Sequence, residues 1–240
     1  MSDTPTKSNS SSPLAKRKAP QAWIKWAIAV TVGSSAILGL IDVHMVGVAL
    51  RYVQGSFEAA GAEVGWIMHG YALANVLSFA ITAGLGDRLG RKTGFIFSLL
   101  AFLLASILCG LATSMSMLIV ARVLQGLSSG AMLAKAQSIL FQTFSTSGQG
   151  AVQTAVGLSA IVMGPLLGPT LGGYLGDTFN WRRIFFINVP FGILAGILAV
   201  MFLPADDPHR RKRPMVEWIG IALMTAGLVV WNFSAGGPRP

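Results

Sequence analysis

The feature that most constrains this chain is a series of seven apolar stretches, each close to the length that crosses a bilayer. They occupy roughly 26–50, 64–85, 94–112, 115–140, 151–176, 184–203 and 218–235. An α-helix rises about 1.5 Å per residue, so about 20 residues cover the hydrocarbon core. Isolated strands would leave backbone groups unpaired in lipid, so helices are the expected spanning structure. Composition agrees with this reading. Hydrophobic residues make up 53% of the chain and charged residues 11%, against about 25% charged in an ordinary soluble domain. A soluble fold of this size could not cover its surface with so few charges, and an all-α membrane protein is expected.

The remaining segments divide the chain. Residues 1–22 are rich in Ser, Thr, Pro and Lys and carry too few apolar side chains for a core, which predicts a disordered tail. The first apolar stretch exceeds the roughly 7–15 residues of a secretory signal, so it reads as a transmembrane helix. A six-helix transmembrane bundle is expected over 23–203, a basic linker over 204–216, and a seventh span with a short end over 217–240. Lys and Arg sort by side: twelve lie in the tail, the loop after span two and the loop after span six, and three (Arg51, Arg182 and Arg183) in the alternate loops. Positive charge collects on the cytoplasmic side, which places the N-terminus and the linker there, in the cell's inner (plasma) membrane. The net charge of +9 therefore belongs to short loops between apolar runs and not to a nucleic-acid-binding face. The lone Cys109 allows no intrachain disulfide.

Two charges fall deep inside spans. Asp42 lies well within span one, on a helical stripe with Ser35, Gly39 and Ala49, and Arg122 lies in span four. A charge in hydrocarbon costs several kcal/mol, so each is expected to face a cavity or a partner. Asp42 has two readings: a carboxylate that takes up and releases a proton, or half of a structural ion pair with Arg122. Arg122 could also snorkel to the membrane surface. Arg122, Gln125, Gly126, Ser129 and Gly130 recur at helical spacing and form one polar, small-residue face. Lys135 falls on a different face and is expected to snorkel toward the cytoplasm. His44 is about 200° around the helix from Asp42 and does not share its face; it reads as a neutral, hydrogen-bonded imidazole, with a second proton carrier as the alternative. Spans one and four are the charged ones, while spans three, five and six carry no charge, which hints at two inverted three-helix repeats.

Span five carries Gly157, Gly164-Pro165, Gly168-Pro169 and Gly172-Gly173. Gly164, Gly168 and Gly172 repeat every fourth residue and should form a groove against a neighbouring helix. Pro165 and Pro169 remove backbone hydrogen bonds and should bend the helix, giving a contact that can act as a hinge or seal. Trp181, Arg182 and Arg183 read as interfacial anchors. No P-loop, metal-ligand cluster or nucleophile–base pair stands at a readable spacing, so no enzyme, metal or cofactor is expected.

These residues resemble the major facilitator superfamily, and within it the drug:proton antiporters with 14 spans. The stretch 84–92, with Asp87, Arg88, Gly90, Arg91 and Lys92, is similar to the superfamily's conserved loop between spans two and three, which implies a conformational-switch loop. Arg122, Gln125 and Gly126 are similar to a motif linked to proton transfer. Gly157, Gly164, Pro165, Gly168 and Gly172 are similar to the antiporter signature, and Trp181-Arg182-Arg183-Ile184-Phe185-Phe186-Ile187-Asn188-Val189-Pro190 to the approach to span six. In span one, Asp42 and Ala49-Leu50 fit the family pattern, while His44, Gly47 and Arg51 replace its Thr, Asn and Pro. The resemblance implies the N-terminal bundle of a multidrug-type efflux antiporter. A proton gradient would supply its energy, and small amphipathic molecules would be its substrates. Its partners would be lipid, protons and a C-terminal half or second chain. The alternative is a truncated membrane scaffold that moves nothing, or a half-transporter needing a partner chain.

Overall fold

The computed structural model describes residues 22–85, 90–206 and 227. Helix α1 spans Ala22–Phe57, α2 Gly61–Leu85, α3 Arg91–Gly110, α4 Met115–Thr143 and α5 Thr146–Thr178. The sixth span is made by α6 (Arg183–Phe186) and α7 (Asn188–Phe202). All six are long and apolar enough to cross a membrane. The predicted seventh span and the basic linker lie outside the described residues, apart from 204–206 and Gly227, and so do Asp87 and Arg88.

Local chemistry accounts for the ends. Helix α1 runs seven residues past the predicted 50 because Arg51, Tyr52, Val53 and Gln54 tolerate a helix, and it stops where Glu58 turns to φ 50°. Ser114 caps α4 by accepting from the Met117 amide at 3.2 Å. The sixth span divides because Pro190 has no N–H to return to Phe186, so the ladder breaks there and restarts at Asn188 with Pro190 in the first turn of α7.

Packing follows an internal exchange. The closest neighbours are α1 with α5, α2 with α4, and α3 with α4. Swapping the first three spans for the second three turns the first of these pairs into the second, and α3·α4 into the observed contact of the sixth span with α1. That is the pattern of two three-helix repeats, as the charged spans one and four suggested. Glycines set the closeness of both main pairs. A Cβ at Gly168 would overlap that of His44, and one at Gly172 would lie 2.8 Å from the Met45 carbonyl. Across the other pair, a Cβ at Gly126 or Gly130 would overlap the carbonyls of Tyr71 and Asn75.

The outside is apolar. Phe97, Leu104, Ile161, Leu166, Ile197 and Met201 are all more than half exposed, as suits a surface solvated by acyl chains. Inside, one apolar cluster joins Ile28, Val32, Phe95, Leu99, Met132 and Ala199 at one end of the bundle. A second joins Met45, Val53, Ile67, Leu118 and Phe185 at the other. Between them along α1, α3 and α4 lies a buried polar layer: Asp42, Ser106, Arg122, Gln125 and Ser129, with Asn188 from α7.

Candidate functional site

Each polar side chain in this layer is placed by a helix whose remaining faces are apolar. Asp42 and Arg122 are fully buried, and Arg122 Nη1 donates to Asp42 Oδ2 at 2.7 Å. The same nitrogen donates to Gln125 Oε1 at 2.7 Å, one turn along α4. Arg122 Nε reaches the Ile67 carbonyl at 3.4 Å, and the guanidinium lies 4.2 Å from the centre of the Tyr71 ring. The other carboxylate oxygen, Asp42 Oδ1, accepts from Gln125 Nε2 at 3.2 Å and from Asn188 Nδ2 at 2.6 Å. Ser106 Oγ accepts from both amides, at 3.2 and 2.9 Å, and donates to the Phe185 carbonyl at 3.0 Å. Tyr71 OH donates to Ser129 Oγ at 2.9 Å. The network thus joins α1, α2, α3, α4 and the sixth span around one carboxylate.

Such a cluster is costly unless nearly every polar atom is paired, because water cannot compensate inside the bundle. Two buried side-chain polar atoms among the described residues lack a hydrogen bond: Arg122 Nη2 and Asn188 Oδ1. Each unpaired buried group costs about 1–3 kcal/mol.

The structure therefore brings together Asp42, Arg122 and Gln125, and it buries Arg122 where snorkelling was an alternative. Gly126 lies on the same face but serves the contact with α2. Gly164, Gly168 and Gly172 line the contact with α1 on the side of His44, away from Asp42. His44 Nδ1 donates to the Leu40 carbonyl at 2.8 Å. Pro165 is on the exposed face of α5, and Gly157 has open space around its Cα. Two expectations fail. Lys135 does not snorkel: it is 6% exposed, with its methylenes against Gly94. Trp181 is likewise inside the fold at 3% exposure, its Nε1 donating to Ser56 Oγ at 3.0 Å and its ring set edge-on to Phe57 and Phe185. Apolar neighbours at the outer rim offer the indole more than a headgroup would.

Sequence reasoning missed Ser106, Tyr71 and Asn188. A signal existed for Asn188, since it is the only polar side chain between 184 and 203. It also missed a second carboxylate site at the opposite rim. Asp206 Oδ1 accepts from the Arg91 and Lys92 amides at 2.6 and 2.9 Å, and its Oδ2 from the Thr93 amide at 3.0 Å and the Thr93 hydroxyl at 2.7 Å. Those amides are the unpaired donors of the first turn of α3. Lys92 Nζ returns the favour at the end of α7, donating to the Val200 and Leu203 carbonyls at 2.7 and 2.9 Å. Each charge sits where the local helix dipole welcomes it. Gly90, at φ 81°, leaves room that any Cβ would take from the Asp206 carboxylate. Arg91 Nε donates to Ser138 Oγ of α4 at 2.9 Å. The described end of the loop between spans two and three is thereby tied to α4 and α7. Partial burial works against charge on Asp206, but the Thr93, Lys92 and Arg91 hydrogen bonds outweigh it and hold the carboxyl below its ordinary 3.8.

Comparison with known proteins identifies the family. A model of the Major Facilitator Superfamily matches residues 32–235. Multidrug export protein EmrB of Escherichia coli (strain K12) is 29% identical over 83% of this chain and 38% of its own length. The multidrug resistance protein B homolog of Mycobacterium tuberculosis is 34% identical over 83% of this chain and 36% of its own. Fatty acid resistance protein FarB of Neisseria gonorrhoeae is 29% identical over 86% and 40%. The chain thus spans less than half the length of these curated relatives. Among solved structures, the peptide transporter POT superposes with a TM-score of 0.66 at 18% identity, over 90% of this chain and 47% of the other. The human organic anion transporter MFSD10 gives 0.62 at 16%, over 90% and 57%. Those two likenesses speak to the fold, and the family model covers most of the sequence. This multi-pass membrane chain belongs to the major facilitator superfamily.

Proposed function

We propose that the chain forms the proton-coupling bundle of a multidrug-type efflux antiporter, with its N-terminus in the cytoplasm of a plasma (inner) membrane. A second bundle, on the same polypeptide or another, would complete the cavity for a small amphipathic substrate. The observation that carries the proposal is the fully buried Asp42–Arg122 pair at 2.7 Å, in a family of transporters. The names of EmrB and FarB point to drugs and fatty acids, both amphipathic, and the Lys and Arg count supports the orientation.

In this reading no cofactor takes part, and the proton gradient supplies the work. As a carboxylate, Asp42 accepts hydrogen bonds from Arg122, Gln125 and Asn188. Protonation neutralises the carboxylate and reduces the ion pair to an ordinary hydrogen bond. Arg122 keeps Gln125, the Ile67 carbonyl and the Tyr71 ring, so its charge is not left bare. The attraction drawing α1 to α4 weakens at that moment, which couples proton uptake to helix movement. The glycine-lined α1·α5 contact lets those helices slide closely past each other. Loop residues Asp87, Arg88, Gly90 and Arg91 act as the switch at the cytoplasmic rim. The test is efflux of a lipophilic dye from cells carrying the full coding frame. Asp42→Asn is expected to abolish proton-dependent efflux while the protein still reaches the membrane. Unchanged efflux would remove Asp42 from the role.

A further inference from the structure

Asp42 Oδ1 is served by two amides that differ in their freedom. Gln125 is fixed: its Nε2 faces the carboxylate while its Oε1 accepts from Arg122 at 2.7 Å, so turning it over would set an NH2 against the guanidinium. Asn188 has no such lock. Its Nδ2 donates to Asp42 and to Ser106, and its Oδ1 is buried with no hydrogen-bond partner among the described residues. An apolar side chain at 188 would avoid that penalty, so the spare acceptor needs a use. A carboxylate only accepts, whereas a protonated carboxyl must also donate. The titratable and charged groups facing Asp42 from its neighbours are Arg122 on α4, Tyr71 on α2 and Cys109 on α3. Arg122 is already a donor to it, and the Tyr71 hydroxyl is engaged with Ser129.

We propose that Asn188 is the positioning residue for both protonation states of Asp42, its amide donating to the carboxylate and turning over to accept from the acid. The step balances simply. A proton from the aqueous side forms an O–H bond at Asp42 Oδ1, the Asn188 Nδ2–H···Oδ1 bond breaks, and the new O–H donates to Asn188 Oδ1. Ser106 accommodates the turn because its hydroxyl can rotate from the Phe185 carbonyl toward the same oxygen. The inference rests on the reading of Asp42 as proton carrier.

Infrared difference spectra of the purified full chain, with its asparagine side chains labelled in the amide carbonyl, test it as pH is lowered. A carboxylic-acid band that disappears in Asp42→Asn reports Asp42. An amide band that disappears in Asn188→Leu reports Asn188; should that variant not fold, Asn188→Asp keeps the shape and removes the band equally. The expected result is a shift of the Asn188 band to lower wavenumber with the same midpoint as the Asp42 acid band, and loss of that pH response in Asp42→Asn. An Asp42 band that titrates while the Asn188 band stays still would overturn the role of Asn188 and leave Asp42 as carrier. Absence of any Asp42-dependent acid band would overturn both.

Discussion

Asp42 and Asp206 are each held by three or more donors, yet they answer to different physics. Asp42 is fully buried, paired with a guanidinium and two side-chain amides from two other helices, α4 and α7. Asp206 is partly exposed and takes three backbone amides and a hydroxyl from one turn of α3. Side chains can rearrange when a charge is removed, whereas backbone amides of a helix cannot. The proposed proton carrier thus sits where its partners can rearrange, and the rim carboxylate where they cannot. Coulomb attraction is also stronger where water is excluded, so removing a partner should hurt the inner site more.

The largest break is expected at Arg122. Arg122→Leu strands the Asp42 charge and should cost about 3–5 kcal/mol in detergent unfolding. Adding Asp42→Asn to that variant should recover most of the loss. A double variant no better than the single would mean that packing, and not charge, holds the layer together. At the rim, Gly90→Ala places a Cβ against the Asp206 carboxylate at a positive φ, and should cost about 2 kcal/mol in the same assay. Smallest is Asp206→Asn, worth about 1 kcal/mol at neutral pH, since an amide oxygen still caps the helix. Its pH dependence separates the two sites. The folded Asp206 value lies below the ordinary 3.8, so its contribution is complete above that value and is lost as pH falls through the folded one. The difference between wild type and Asp206→Asn should therefore shrink only below about pH 4. Shrinkage nearer neutrality would show that the α3 amides do not hold the rim carboxyl below its ordinary value.

The same contrast explains what could be read from sequence. Membrane-length stretches are written in composition, so six helices were legible, with ends displaced by up to seven residues. The long-range meeting of Asp42 with Arg122 was legible because hydrocarbon forces charges to find partners. The α5 glycines declared their contact through a four-residue period, although not which helix they face. Asn188 and Ser106 were obscure because a small polar residue in a span is ordinary until a charge is found beside it. Asp206 could not be found by any period, since it meets α3 across more than 110 residues. Lys135 and Trp181 misled because their types favour membrane surfaces, while here neighbouring helices and aromatic rings offer them better packing.

The central claim is that Asp42 exchanges its proton as substrate binds. The direct measurement is the pH of a weakly buffered solution of the purified full chain when a lipophilic cation is added. Acidification with the wild type and none with Asp42→Asn is the expected result. Equal acidification from both proteins would contradict it.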